Sequence, residues 1–225
     1  MSFRIIIKKI IQRENVMKEY LTYVIEKREE IERCPEFQVN HVQWKSKCAP
    51  KTTGKMAYLK GEGIIVRMKC EEKNPLRVYT KHMDMVCEDS AMEAFFSFPD
   101  DEKKQPDIDS LYFNFEINAN GALYANTGYG RKDRQELLPE EMILVAPKAV
   151  IERDEWHIEM TVPETLIQRF LKKKELSIGD IFYCNFYKIS ETPEIEHYIS
   201  YNYIESDTPN FHLPPYFGKA VLADG

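Results

Sequence analysis

The chain has 225 residues, a length that suits one large β domain or two small ones. Hydrophobic residues make up 43% and charged residues 30%, which is typical of a globular protein and excludes a disordered chain. The formal net charge of -6 argues against a nucleic-acid partner, because phosphate binding needs a basic surface.

The cysteines and the N-terminal residues indicate the cellular compartment of the protein. The five cysteines are odd in number and form no C-x-x-C pair, so neither a disulfide framework nor a zinc site is predicted. The leader "MSFRIIIKKIIQREN" is interrupted by Lys8 and Lys9 and lacks a small-residue cleavage site, so we predict no signal peptide. No apolar run reaches the length of a membrane span. We expect a cytoplasmic protein without a membrane partner.

The N-terminal segment has two interpretations. Residues 1–37 are predicted to form an extension and lead-in segment before a domain that spans 38–225. Met17, Tyr20 and Val24 have rough helical spacing, which indicates an N-terminal helix, whereas "YLTYVI" is equally compatible with a first strand.

From residue 38 onward, short runs rich in β-branched and aromatic residues alternate with loop compositions. Strands are predicted within 37–44, 56–70, 90–98, 111–118, 155–163, 180–189 and 197–204. One helix is predicted over 163–176, because Leu166, Ile167, Phe170 and Leu171 form an apolar stripe and lysines crowd its C-terminal end. Many short strands and a single internal helix predict an all-β fold, an antiparallel β-sandwich.

The stretch "LYFNFEINANGALYANTGYGRKDR", residues 111–134, gives the strongest strand signal. Its apolar residues alternate with polar ones as a half-buried strand requires, and Asn120-Gly121 supplies a hairpin turn. Two arginines, Arg131 and Arg134, follow closely. The polar face of this strand, with the two arginines, predicts a surface that binds sugar hydroxyls through bidentate groups. The alternative is an exterior face whose arginines bind loop carbonyls.

Signals for catalysis are weaker. Glu93 and Glu116 both lie in predicted strands and could be the paired carboxylates of a glycosidase, although their spacing does not select them over other acidic residues. The sequence contains no G-x-S-x-G elbow, and its five histidines are scattered without metal-binding spacing.

Six blocks of sequence resemble the carbohydrate-binding family 9-like proteins, relatives of the sugar-binding modules of xylanases within the DOMON-like superfamily. The match runs in order from about Trp44 to Phe217, and the blocks that carry it are "EDSAMEAFFSF", "YFNFEINANGALYA", "GYGRKDR", "WHIEMTVP", "CNFYKISETPEIEHYISY" and "PNFHLPPYFG". The resemblance implies a jelly-roll β-sandwich and a non-catalytic role in binding a saccharide, often at a chain end. It requires no cofactor, but it allows a structural calcium ion, as in the xylanase modules.

The resemblance also implies binding residues. Glu93 matches the acidic position of the D-S-x-x-E block, Arg131 the arginine after the hairpin, and Asn185 the asparagine of "CNFYK", with Lys188 on the same strand. The late aromatic of the family's sugar clamp corresponds to Tyr201. The first aromatic wall is missing, because Val86-Cys87-Glu88 stands where it is expected.

These observations lead to one hypothesis and two alternatives. We expect a monomeric, non-catalytic domain that binds a small saccharide through six residues, namely Glu93, Arg131, Arg134, Asn185, Lys188 and Tyr201. The alternatives are a sugar-acting enzyme that uses Glu93 and Glu116 as acid and base, and a β-sandwich that docks another polypeptide.

Overall fold

The computed structural model of the protein describes residues 17–99, 104–170 and 175–225, except for the side chain of Phe170. Its strands are β1 (Glu19–Ile25), β2 (Glu36–Val39), β3 (His41–Gln43), β4 (Lys51–Leu59), β5 (Gly63–Glu71), β6 (Ala91–Ser97), β7 (Leu111–Asn118), β8 (Leu123–Tyr129), β9 (Asp133–Glu136), β10 (Lys148–Ile151), β11 (Trp156–Pro163), β12 (Ile181–Ser190), β13 (His197–Ser200) and β14 (Gly218–Asp224). Its helices are α1 (Pro139–Val145), α2 (Glu164–Phe170) and 3₁₀ turns at Arg28–Arg33, Val86–Glu88, Pro193–Ile195 and Pro214–Tyr216.

The strands form one curled sheet in the order β10-β11-β5-β4-β1-β14-β12-β6-β7-β8-β9, while β2 pairs with β4 and β13 joins β12 to β3. The predicted all-β, sandwich-like fold is confirmed. The pairing is antiparallel except at β1, which runs parallel to both β4 and β14. The sheet is therefore mixed, and β1 corrects the expectation of a purely antiparallel sandwich.

Of the two predicted alternatives, the described part of the N-terminal region forms the strand and not the helix. Glu19–Ile25 is β1, with the alternating side chains of Tyr20 and Thr22 buried, and a 3₁₀ turn follows at Arg28–Arg33. This strand belongs to the range predicted as a lead-in segment, yet it lies inside the sheet. Residues 1–16 lie outside the described part of the chain.

The helices differ in detail from the prediction. The predicted helix begins at Glu164 and buries Leu166 and Ile167 as expected, whereas Leu171 and the lysines that follow it lie outside the described residues. A second helix, α1, begins with Pro139 at its first turn and was missed, because its exposed Ile143 and Leu144 obscure the apolar stripe. Among the described residues, no helix is long and apolar enough to span a membrane.

The main core lies between the two halves of the curled sheet. One half, β10-β11-β5-β4, contributes Met56, Val66 and Trp156, and the other half, β14-β12-β6-β7-β8-β9, contributes Phe96 and Phe186. Trp156 is fully buried and alternates with Ile158 and Met160, as its strand pattern predicts. This packing leaves the opposite face of β6, β7, β8 and β12 outside the main core.

That opposite face is covered in part by the segment 203–217. Ile204, Phe211 and Phe217 pack there against Phe95 and Tyr187, and they form a second, smaller apolar cluster. The cover stops short of the middle of β6 and β7. There the polar residues of β7 remain lined up beneath a cavity, which explains the alternation of its sequence.

Candidate functional site

The cavity has a volume of about 210 Å³ and opens on the face of β6–β9 opposite the main core. A cross-strand row formed by Tyr187, Glu93, Glu116 and Tyr124 runs beneath it, because these residues are register partners on β12, β6, β7 and β8. Adjacent strands lie about 4.8 Å apart, so the two carboxylates of the row are neighbours. The fold thus brings together acidic residues that are 23 positions apart in the chain, from 93 to 116.

The two carboxylates of this row are buried. Glu93 is 2% exposed and Glu116 is 6% exposed, yet both line the cavity. Glu116 accepts a hydrogen bond of 2.9 Å from Asn114 Nδ2. Within the described ranges, the Glu93 carboxylate has no hydrogen-bond partner, and neither glutamate has a cationic group within 4.0 Å.

Burial of these like charges changes their protonation. Burial raises the pKa of Glu93 well above its ordinary value, and the Glu116 and Glu191 carboxylates act in the same direction. Burial also raises the pKa of Glu116 to about 7; the hydrogen bond from Asn114 opposes this shift and Glu191 adds to it. The pair therefore retains a proton near neutral pH.

Two guanidinium groups form another part of the lining. Arg134, on β9, stacks 3.9 Å above the ring of Tyr112, donates to the carbonyls of Gly128 (2.8 Å) and Asn126 (3.2 Å), and hydrogen-bonds Asn114 Oδ1. Its guanidinium is thus held by the protein.

Arg131 is freer than Arg134. It lies at the mouth, 57% of its side chain is exposed, and its Nη2 is 4.0 Å from Glu191 Oε1. A loose ion pair of this kind leaves most of its donors available to a ligand.

Aromatic side chains supply the walls of the cavity. Tyr124 lies on one side, and Tyr198 and Phe211 lie on the other. Trp44 packs behind this second wall, edge-on to Tyr198 at 5.5 Å and tilted against Phe211. The sequence did not single out these wall residues. Tyr124 could have been found from the register of the β7–β8 hairpin, whereas Phe211 lies in an irregular segment without a pattern.

His212 adds a neutral polar group to the lining. Its Nδ1 lies 2.8 Å from the oxygen of the Tyr112 hydroxyl, whose proton is donated to the Gly130 carbonyl at 2.7 Å. Burial lowers the pKa of His212 to about 3, and the positive charges of Arg134 and Arg131 act in the same direction. The imidazole is therefore uncharged near neutral pH and contributes no cation to the site.

Asn185 and Tyr201, both predicted to bind ligand, lie elsewhere. Asn185 is fully buried; its Nδ2 donates to the carbonyls of Asn202 (3.2 Å) and Tyr216 (3.3 Å), and its Oδ1 accepts from Asn202 N (2.9 Å). Tyr201 is 5% exposed and packs on Phe37 in the main core. Both contacts are structural, so the binding role expected for these two residues is corrected.

Lys188 is also removed from the cavity, because it lies three positions from Asn185 and thus on the opposite face of β12. Its fully buried ammonium donates to Ser90 Oγ (2.6 Å) and His197 Nε2 (2.8 Å) and pairs with Glu72 at 3.5 Å. This network lies on the main-core side of the sheet, where Trp156 Nε1 also donates to Glu72 (3.0 Å). The structure therefore gives Lys188 a stabilising role instead of the predicted contact with ligand.

The arrangement of Cys48 and His197 does not form a nucleophile pair. Cys48 Sγ lies 3.3 Å from His197 Nδ1, but that nitrogen also lies 2.6 Å from the Ile195 carbonyl, to which it must donate. The other ring nitrogen accepts from Lys188. No imidazole lone pair is left for the thiol, and burial raises the pKa of Cys48.

Donors for a metal ion are sparse in the described ranges. Glu152, Glu155 and His157 are the one cluster there that could hold an ion, and a histidine nitrogen is not a calcium ligand. Asp89, the aspartate that begins the D-S-x-x-E block, accepts hydrogen bonds from Val78 N (2.8 Å), Tyr79 N (2.9 Å) and Asn118 Nδ2 (2.8 Å). It holds the loop before β6 in place, and a structural calcium ion stays a prediction.

The fold and the cavity define a β-sandwich with a small polar site walled by aromatic rings. The sequence model of carbohydrate-binding family 9 matches residues 24–222, so the chain belongs to this family, as the resemblance predicted. No curated protein gives a significant match.

Solved structures with this fold include proteins of the same family. A candidate carbohydrate-binding protein from Bacteroides uniformis ATCC 8492 is 21% identical with a TM-score of 0.75, and the match covers 92% of this chain and 100% of that one. A family 9 carbohydrate-binding module from Caldicellulosiruptor kristjanssonii in complex with cellotriose is 13% identical with a TM-score of 0.61, covering 92% and 95%. The same kind of module with glucose gives 14% and 0.60, covering 92% and 97%.

Proposed function

We propose that the protein binds a small saccharide, or the end of a saccharide chain, in the cavity of β6–β9 and does not transform it. Glu93 and Glu116 accept hydrogen bonds from adjacent hydroxyls, Arg131 donates to ring or hydroxyl oxygens, and Arg134 holds Asn114 and the floor of the site in place. Tyr124, on one wall, packs against the apolar face of the ring. Carbohydrate binding is a property of the family, and the related modules were solved with cellotriose and glucose.

One observation carries this proposal. Glu93 is almost completely buried, lines the cavity and lacks a hydrogen-bond partner among the described residues. A buried acceptor without a partner is costly, and a ligand hydroxyl would remove that cost. The cavity is smaller than sites for drug-sized ligands, which typically exceed about 300 Å³, and this size suits one sugar ring.

The position of the carboxylates supports the non-catalytic role that we propose. Glu93 and Glu116 are side by side on neighbouring strands of one floor. Glycoside hydrolysis needs its two carboxylates on either side of the scissile bond. We therefore propose binding without turnover, and chromogenic glycosides should not be hydrolysed. Residence in the cytoplasm is proposed as well, since all five cysteines are free thiols.

Isothermal titration against glucose, xylose, cellobiose and cellotriose tests the proposal. The wild-type chain should give saturable heat with at least one sugar, and Glu93→Gln should weaken that affinity by up to about tenfold, since a hydrogen bond between uncharged groups contributes about 0.5–1.5 kcal/mol. Glu29→Gln is the matched control, because Glu29 is exposed on the turn Arg28–Arg33 and does not line the cavity. Absence of heat with every sugar would contradict the proposal.

A further inference from the structure

The three carboxylates around the cavity differ in whether a cationic side chain lies close to them. Glu93 and Glu116 are register partners in the floor, and Glu191 is a third carboxylate at the mouth. Among the described residues, Glu191 has Arg131 within 4.0 Å, but Glu93 and Glu116 have no cationic side chain at that distance. The floor therefore contains two buried carboxylates without a counter-ion.

Neither arginine of the lining lies within ion-pair distance of these carboxylates, although their charges oppose the effect of burial that raises the pKa of Glu93 (Arg131) and of Glu116 (Arg134 and Arg131). The terminal nitrogens of Arg134 donate to Gly128, Asn126 and Asn114, and its plane lies on Tyr112. Arg131 points to Glu191, with more than half of its side chain in solvent.

Lysine and histidine do not neutralise the floor either. Lys188 lies on the opposite face of β12 and pairs with Glu72, while its neighbour Tyr187 is the residue in register with Glu93. The imidazole of His212 is neutral, because burial and the two arginines lower its pKa to about 3. The protein thus stabilises a proton on the floor instead of a salt bridge.

We propose that the natural ligand carries a protonated amine, and that the cavity prefers an amino sugar to the neutral sugar of the same shape. This inference rests on the proposed function and narrows its substrate class. The ammonium lies between the Glu93 and Glu116 carboxylates, where it takes the place of the proton that burial retains on the pair and supplies three donors. The ring lies between the walls formed by Tyr124 and Phe211, whose faces also attract a cation.

Titration at pH 7 of glucosamine and glucose, which have the same shape, and of the bulkier N-acetylglucosamine tests this preference. Glucosamine should bind about tenfold or more tightly than glucose, because two charge-assisted hydrogen bonds replace two neutral ones. N-acetylglucosamine, which keeps the nitrogen but loses the charge, should not share the gain. Glu116→Gln should reduce the ratio of the glucosamine and glucose affinities to below about threefold, and Glu29→Gln should leave the ratio unchanged.

Each outcome separates this inference from the proposed function. Equal binding of glucosamine and glucose overturns the preference for an amine and leaves saccharide binding standing. Binding of cyclohexylamine as tight as that of glucosamine overturns the amino sugar as the ligand, because the hydroxyl groups would then contribute nothing, while the titration with glucose still decides the proposed function. Absence of binding by every probe overturns both. A glucosamine preference that persists in Glu116→Gln and in Glu93→Gln overturns the assignment of the amine to this carboxylate pair.

Discussion

At the scale of single residues, the burial of a polar side chain has two meanings in this protein. Asn185 and Glu93 are both almost inaccessible and lie on the same face of the sheet, on adjacent strands. The amide of Asn185 is satisfied by the backbone of Asn202 and Tyr216, whereas Glu93 faces a cavity without a protein partner. The first residue binds the covering segment to the sheet, and the second is available to a ligand.

This distinction predicts opposite behaviour of two variants. Asn185→Ala leaves Asn202 N and two carbonyls without their partner, so the free energy of unfolding should fall by about 1–3 kcal/mol. Urea unfolding measures this loss. Titration at low temperature, where the variant is folded, should show a smaller loss of saccharide affinity than Glu93→Gln. A stable Asn185→Ala protein that no longer binds sugar would contradict the assignment.

The sequence predicted which face of a strand each residue occupies, but it did not predict which segment of the chain covers that face. The alternation in β7 correctly assigned Phe113 and Phe115 to the core and placed Asn114 and Glu116 on the other face. The same period would have separated Asn185 from Lys188, because residues three apart on a strand point to opposite faces. The burial of Asn185 depends on a segment of irregular structure that returns from residues 203–217. That contact is long-range, and local pattern does not encode it.

At the scale of elements, the β8–β9 hairpin carries both arginines of the site. Gly128 has a φ of +151° and pairs with Arg134, and a Cβ at Gly128 would lie 2.1 Å from the Asp133 carbonyl oxygen. Only glycine fits this close approach without moving one strand of the hairpin. The position of Arg131 in the turn and of Arg134 on β9 therefore depends on a residue that contacts no ligand.

Gly128→Ala should consequently impair both folding and binding. The clash and the unfavourable φ should lower the free energy of unfolding by on the order of 1–3 kcal/mol, and displacement of the arginines should weaken saccharide binding severalfold. Gly130→Ala is the matched control for the backbone strain alone, since Gly130 also has a positive φ of +57° but its Cβ would meet no atom within 4 Å. Thermal unfolding and calorimetric titration of both variants measure these effects; equal effects of the two substitutions would refute the role given to Gly128.

At the scale of the whole molecule, the buried glutamates and the buried histidines change the stability in opposite directions as the pH rises. The pKa of Glu93 and of Glu116 is raised by burial, so the folded state binds their protons more tightly and stability is lost as the pH rises from about 4.5 through about 7. Burial lowers the pKa of His197 to about 4 and that of His212 to about 3, so their contribution is lost as the pH falls below about 6.5. The free energy of unfolding should therefore be greatest between about pH 4.5, above which the glutamates lower it, and about pH 6.5, below which the histidines lower it.

Urea unfolding at several pH values checks this expectation for the ligand-free protein. The free energy of unfolding should decrease by roughly 1–3 kcal/mol between about pH 5.5 and about pH 8, because the carboxylate pair must ionise in a buried site. Glu116→Gln should remove much of this decrease, whereas Glu29→Gln should retain it. A wild-type curve that is flat over this interval would show that the pair is not desolvated.

The position of β1 has a consequence for how the chain reaches this structure. On one side β1 pairs with β4, about 35 positions further along the chain, and on the other with β14, 200 positions away from Glu19 to Lys219. Since β1 joins the two halves of the sheet, neither half can close over the other until the last strand has arrived. Contacts of such long range slow the search for the native topology. We infer that refolding is limited by the late pairing of β14 with β1, and that a ribosome must synthesise and release the chain through β14 before the two halves of the sandwich can close.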